Sequence, residues 1–227
     1  MLTLAIDTST NLLSIALVRD EKVLAWIDEK TTNNQSEILM SRVESLMKKC
    51  WVKPAQLEKI AVAVGPGSYT GIRVGVAAAK SLAYALDIPV VGVSSLEVMA
   101  NFSLEQYFLS RSKPKIDLIV PMIDARRGTV FAGAYDSNGE NIVSDGHYQM
   151  NDFLEKLPKE KSIFYVADES LVFKEEQYWI TLETALDEGT KAETLARLAS
   201  KKKPIENIYG LVPNYLRKTE AEMNLNG

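Results

Sequence analysis

A recurring order of elements limits the fold of this chain more than any single motif does. Apolar runs at 2–6, 12–18 and 23–27, separated by polar segments at 7–11 and 19–22, alternate and connect closely enough to predict an antiparallel meander. A polar loop at 31–35 follows, in which Asn34 with Glu37 three positions on reads as a capping box. The helix it starts is expected over 36–50, with Leu39, Val43, Leu46, Met47 and Cys50 at helical spacing and an end before Pro54. A buried-type strand at 59–64 then leads through Gly65-Pro66-Gly67-Ser68-Tyr69-Thr70-Gly71 into a helix over 70–86, and a strand at 90–93 closes the series.

The second half begins the series again. Ile119-Val120-Pro121-Met122-Ile123-Asp124 echoes residues 2–7, down to the final Ile-Asp pair. Runs at 129–136 and 142–150 pair across Ser137-Asn138-Gly139, Asn151 or Asp152 caps a helix through Leu157, and a strand at 162–167 follows. A helix around 193–200 ends in Lys201-Lys202-Lys203, which complements the helix dipole. This is a duplicated α/β architecture of two lobes. Polar residues over 101–113 and then Pro114 break the pattern, placing the lobes at 1–105 and 106–227, with the last segment returning to the first lobe.

Composition excludes several classes. With 46% hydrophobic and 25% charged residues the chain is globular, and 26 basic against 30 acidic side chains give a net charge of -4, which creates no field to draw in a polyanion. No run approaches the roughly 20 apolar residues of a membrane span, and the start lacks a basic stretch and cleavage site, so a soluble, unprocessed, cytoplasmic protein is expected. One cysteine, Cys50, permits neither an internal disulfide nor a Cys-rich zinc site, and is read as a small buried residue.

Few residues look chemical. The glycines of the 65–71 loop allow a tight turn, and amides at a helix start suit an anion. Yet Gly71 is followed by Ile72 and Arg73 rather than Lys and Ser or Thr, and the spacing G-x-G-x-x-x-G is not the dinucleotide fingerprint. Asp7, Thr8 and Ser9, with Gly65, Gly67 and Ser68, form either a phosphate site or a structural turn. Asp124 and Arg126 occupy the matching place in the second half and can simply pair. The lone His147 lies on an expected strand without a partner motif, so a nucleophilic hydrolase has no support. No catalytic residue and no metal site are assigned.

With these residues in view, the chain resembles the TsaB (YeaZ) family over nearly its whole length. The likeness lies in Ala5-Ile6-Asp7-Thr8-Ser9, Gly65 to Arg73 with Val74-Gly75, Val91-Gly92-Val93-Ser94-Ser95-Leu96, Asp124-Ala125-Arg126-Arg127-Gly128 and Pro213-Asn214-Tyr215-Leu216-Arg217. It implies the actin-like, Hsp70-like, sugar-kinase-like (RNase H-like) fold, in agreement with the duplicated pattern. It also implies a non-catalytic subunit working with the paralogue TsaD and the ATPase TsaE in threonylcarbamoyl transfer to tRNA adenosine. TsaD carries a metal-binding His-x-x-x-His pair where this chain has Ser95 and Met99, which cannot replace two imidazoles. Many relatives carry His where this chain has Gln35.

By the same resemblance the helices over 36–50 and 70–86 form the surface that pairs with TsaD: Ser36, Leu39, Met40, Val43, Met47, Arg73, Val74, Ala77, Ala78, Lys80 and Ser81. The second helix is dense in small residues, which suits close helix contact, and Ala78 or Ala79 changed to Arg should overpack it if it faces outward. Self-association through this patch is expected without TsaD, and tRNA is met only through the complex. No cofactor is implied. The runner-up is a nucleotide-binding phosphotransferase or ATPase of the same fold, using Asp7, Thr8 and the 65–71 loop.

Overall fold

The protein is described by a computed structural model over residues 1–31, 34–109, 116–167, 171, 179–181 and 190–216. Residues 32–33 of the expected polar loop, 110–114 around the expected boundary and Arg217 lie outside these.

Two five-stranded sheets carry the architecture. The first contains β1 (Leu2–Asp7), β2 (Leu12–Arg19), β3 (Lys22–Lys30), β4 (Lys59–Ala63) and β5 (Val90–Val93), in the order β3-β2-β1-β4-β5. Its first three strands are antiparallel, and β4 and β5 join β1 in parallel. The second contains β6 (Leu118–Asp124), β7 (Thr129–Asp136), β8 (Asn141–Gln149), β9 (Ile163–Ala167) and β10 (Trp179–Thr181), in the order β10-β9-β6-β7-β8. It repeats the same pattern of antiparallel and parallel pairs. The duplication expected from the sequence is therefore present strand for strand. β10 was not anticipated.

Residue size decides which helices cover which face. On β1, Leu2, Leu4 and Ile6 point to one side with Leu13, Ile15, Leu17, Ile60 and Val62, and there they meet α1 (Gln35–Lys49) and α2 (Tyr69–Leu86). The opposite side is lined by small residues in register, Ala16 beside Ala5 beside Ala61. A shallow surface lets a helix come close, and α5 (Lys191–Ser200) lies there with Ala192, Leu195, Ala196 and Ala199 against it. In the second half, α3 (Ser95–Leu109) covers the face bearing Ile119 and Ile123, while α4 (Met150–Lys156) seals the other with Phe153.

Several local expectations are corrected. Asn34 does precede α1, but its side chain makes no cap bond, and the amide of Glu37 bonds its backbone carbonyl at 3.0 Å instead. Gln149 rather than Asn151 or Asp152 precedes α4. The helix α3 runs unbroken through residues 101–109, because Phe102 and Leu104 are buried and the polar Asn101 and Ser103 beside them are buried with them. α5 begins at Lys191 behind an N-cap, Thr190, whose side chain accepts from the amide of Ala192.

Candidate functional site

The helices α1 and α2 lie side by side on the first sheet, so their outward sides make one continuous face. Helical phase sorts the expected docking residues into two groups. Leu39, Val43 and Met47 turn inward and are core, as is Ala79. They form the apolar stripe that holds the helices to the sheet, and buried side chains have no surface to offer a partner. Ser36, Met40, Arg73, Ala77 and Ser81 are exposed, while Val74, Ala78 and Lys80 are half-buried. Met40, at 47% exposure, is the large apolar residue on the α1 side. Lys80 is committed elsewhere: its ammonium donates to the carbonyls of Tyr209 and Leu211, each at 3.2 Å. Arg73 donates to the Tyr69 hydroxyl at 2.8 Å and lies over that ring, which stacks on Tyr215.

The 65–71 loop is packed shut against the turn after β1. Ser68 donates its amide to the Ser9 carbonyl at 2.7 Å, Thr8 donates its hydroxyl to the Gly71 carbonyl at 2.7 Å, and Gln35 donates its amide to the Thr10 carbonyl at 2.7 Å. A Cβ at Gly67 would lie 2.2 Å from the Ser9 carbonyl oxygen, and one at Gly71 would lie 2.1 Å from that of Thr8. The glycines thus exist for backbone contact within the chain. Ser68 also caps α2, accepting from the Gly71 amide at 3.2 Å. From the far end of the chain, the Asn214 amide bonds the Val64 carbonyl at 2.7 Å. The polar position at Gln35 is filled by a residue in use.

Asp7 completes the junction. Its Oδ1 accepts from the amide and hydroxyl of Ser9, at 2.8 and 2.6 Å, as in an Asp-initiated turn. Its Oδ2 lies 3.5 Å from the Lys191 ammonium, and both side chains are 1% exposed. Near them Asp28 accepts from Thr190, and burial holds its carboxyl above the ordinary value, opposed by hydrogen bonds from Ser14 and Thr190 and by the Lys191 charge. The residues grouped as a possible phosphate site are therefore together, but bonded to one another. Sequence reasoning missed Lys191. The sign of it was Thr190 with Glu193 three residues on, a helix-start signature.

Ser95 and Met99 are equally committed. Ser95 accepts from the Gly65 amide at 3.1 Å and Met99 sits in the core between α3 and the second sheet. Among the described residues, no group of three or more His, Cys, Asp or Glu is arranged to hold a metal. His147 lies on β8 with Nε2 2.8 Å from the Thr129 hydroxyl. Asp124 does not pair with the Arg126 guanidinium; it accepts from the Arg126 amide at 2.8 Å.

A second polar junction, unmarked in the sequence, ties the two sheets. Asp145 on β8 accepts from Ser94, at the end of β5, and from the Tyr135 hydroxyl at 2.6 Å. Burial first, then the Asp145 charge, pushes the Tyr135 hydroxyl far up, so it remains a donor. Burial likewise holds the Asp145 carboxyl above its ordinary value of 3.8, against the bonds from Ser94 and Tyr135 and the Lys202 charge. A carboxyl raised in this way binds its proton more tightly in the folded chain than in the unfolded one. Its contribution to stability is fullest below the ordinary value and is lost as pH rises through the raised one. As pH rises above the ordinary carboxylate value of 3.8, the urea midpoint of the parent should fall relative to that of Asp145→Asn; parallel profiles would contradict this.

Two copies of one sheet topology, each flanked by helices, make a duplicated α/β fold, here with its glycine loop and first carboxylate turned to internal contacts. Residues 27–225 match the family model described as TsaD, tRNA N6-adenosine threonylcarbamoyltransferase. The tRNA threonylcarbamoyladenosine biosynthesis protein TsaB of Bacillus subtilis (strain 168) is 40% identical over 231 residues, covering 98% of this chain and 96% of that protein. The protein of the same description in Escherichia coli (strain K12) is 32% identical over 60% of this chain and 56% of its own. Among solved structures, YeaZ from Pseudomonas aeruginosa has the same fold, with a TM-score of 0.70 and 22% identity over 94% of this chain and 100% of that one. The chain belongs to the TsaB family.

Proposed function

We propose that this chain is a non-catalytic subunit of the apparatus that places the threonylcarbamoyl group on tRNA adenosine, pairing with TsaD through the outward face of α1 and α2 and joined by the ATPase TsaE. The observation that carries the reading is that face: two adjacent helices presenting Met40 among small and polar residues, Ser36, Ala77 and Ser81, over a rigid core. A large exposed residue beside alanine and serine suits knob-and-hole contact with another helix pair. The commitment of Ser95 and Met99 to internal packing supports a subunit that leaves the transfer chemistry to its partner. The phosphotransferase or ATPase reading has less support, since Asp7 already carries a counter-ion and the 65–71 loop is filled by its own backbone contacts.

Size-exclusion chromatography with light scattering, on this chain mixed with TsaD, tests the pairing. A heterodimer is expected, replacing a homodimer of this chain that uses the same face when TsaD is absent. Two independent peaks at micromolar concentrations would overturn the reading. Purified chain with ATP and magnesium is expected to show no turnover; turnover that disappears in Asp7→Ala would favour the enzyme.

A further inference from the structure

Lys191 is the first residue of α5, directly after the N-cap Thr190. A cation there opposes the helix dipole, which favours negative charge in the first turn. Full burial of an ammonium costs more still unless it meets an anion. Neither cost serves α5, so the reason for Lys191 lies in what it reaches. Its ammonium is 3.5 Å from Asp7 Oδ2 and donates to the Thr10 hydroxyl at 3.2 Å. Asp7 Oδ1 is already occupied by the two bonds from Ser9, so Oδ2 is the oxygen left for a cation. The start of α5 is held in place by a hydrogen-bonded chain: Ser14 and Thr190 share a bond of 2.8 Å, Thr190 donates to Asp28 at 2.9 Å, and the Ala192 amide donates to Ser14 at 3.1 Å. Small residues on β1 and β4 let the helix approach near enough for this.

We propose that Lys191 is a tethered cation, its ammonium filling from within the chain the place at Asp7 that a divalent metal would otherwise take. The arrangement is an internal block. A carboxylate, a hydroxyl and a nearby second carboxylate offer hard oxygen ligands suited to magnesium or manganese, and the ammonium supplies the positive charge they need. With Lys191 present, a metal at this position would face like charge and lose Asp7 Oδ2 to the ion pair. The consequence is a chain whose first-lobe junction stays closed to metal-bound phosphates whatever partner it meets. The proposal does not depend on pairing with TsaD and is tested on this chain alone.

The test compares the parent, Lys191→Ala and the double variant Asp7→Asn/Lys191→Ala by thermal unfolding in millimolar MnCl2 and in KCl of equal ionic strength. The parent should not respond to manganese. Lys191→Ala should melt well below the parent in KCl, with manganese raising its midpoint by about 4 °C or more, because the metal restores the missing charge. The double variant should regain stability in KCl and lose the manganese response, since the anion that called for a cation is gone. Water-proton relaxation enhancement by bound manganese gives a second readout at a temperature where each variant is folded. A parent that binds manganese, a Lys191→Ala protein as stable as the parent in KCl, or one that stays unfolded or unresponsive in manganese would each overturn the proposal. So would a double variant that keeps the response.

Discussion

Ala77→Arg on α2 should weaken pairing with TsaD by a hundredfold or so, about 3 kcal/mol, while leaving the urea midpoint of the isolated chain unchanged. Ala77 is exposed and lies in the middle of α2, so a long cationic side chain there meets water in the free protein and a packed helix in the complex. Ala79 does not meet the condition of facing outward, because its side chain is in the core and Arg there would unfold the helix from the sheet. Glu155→Arg on α4, exposed in the second half on the far side of its sheet, is the control and should pair as the parent does. Titration calorimetry against TsaD gives both values. Equal affinities for the two variants would mean that the partner sits elsewhere.

Gly71→Ala should destabilise the chain by about 3 kcal/mol, the upper part of the range for overpacked interiors. The added Cβ would meet backbone, the Thr8 carbonyl oxygen at 2.1 Å, and also the Gln35 side chain at 2.8 Å. Backbone cannot move aside as a side-chain tip can, and Thr8 is fixed by β1 below it. Gly210→Ala, whose nearest neighbour would be 3.8 Å away, should change stability by less than about 0.5 kcal/mol. Urea denaturation of both variants separates contact from mere loss of glycine. If the two fall together, the 65–71 loop is not the tight clasp described above.

Much of the fold was legible because apolar alternation and size carry it directly. Leu2, Leu4 and Ile6 on one side of β1, with Ala5 on the other, state in one strand that one face takes large residues and the other a close helix. The small-residue helix was legible too, and its expected docking residues Arg73, Val74, Ala77, Ala78, Lys80 and Ser81 are all exposed or half-buried; on α1 the expectation also took in Leu39, Val43 and Met47, which follow the inward helical stripe and are core. The capping box at Asn34 and Glu37 failed because the sequence signature does not fix the backbone angles the side chain needs. The Asp7 site was half legible. Its carboxylate and hydroxyls are local, whereas Lys191 comes to Thr10 from 181 positions away, and no periodicity spans that distance. The Ser94, Tyr135 and Asp145 junction was invisible for the same reason, being made where two separately patterned sheets meet.

Reconstituting the tRNA modification from purified components, with this chain omitted, restored, or replaced by Ala77→Arg, bears most directly on the proposed role. With tRNA and an activated threonylcarbamoyl donor supplied, product should form with TsaD, TsaE and this chain together, drop to background without it, and stay near background with the Ala77→Arg chain at concentrations that saturate the parent. Full product in the absence of this chain, or product made by this chain without TsaD, would contradict the account.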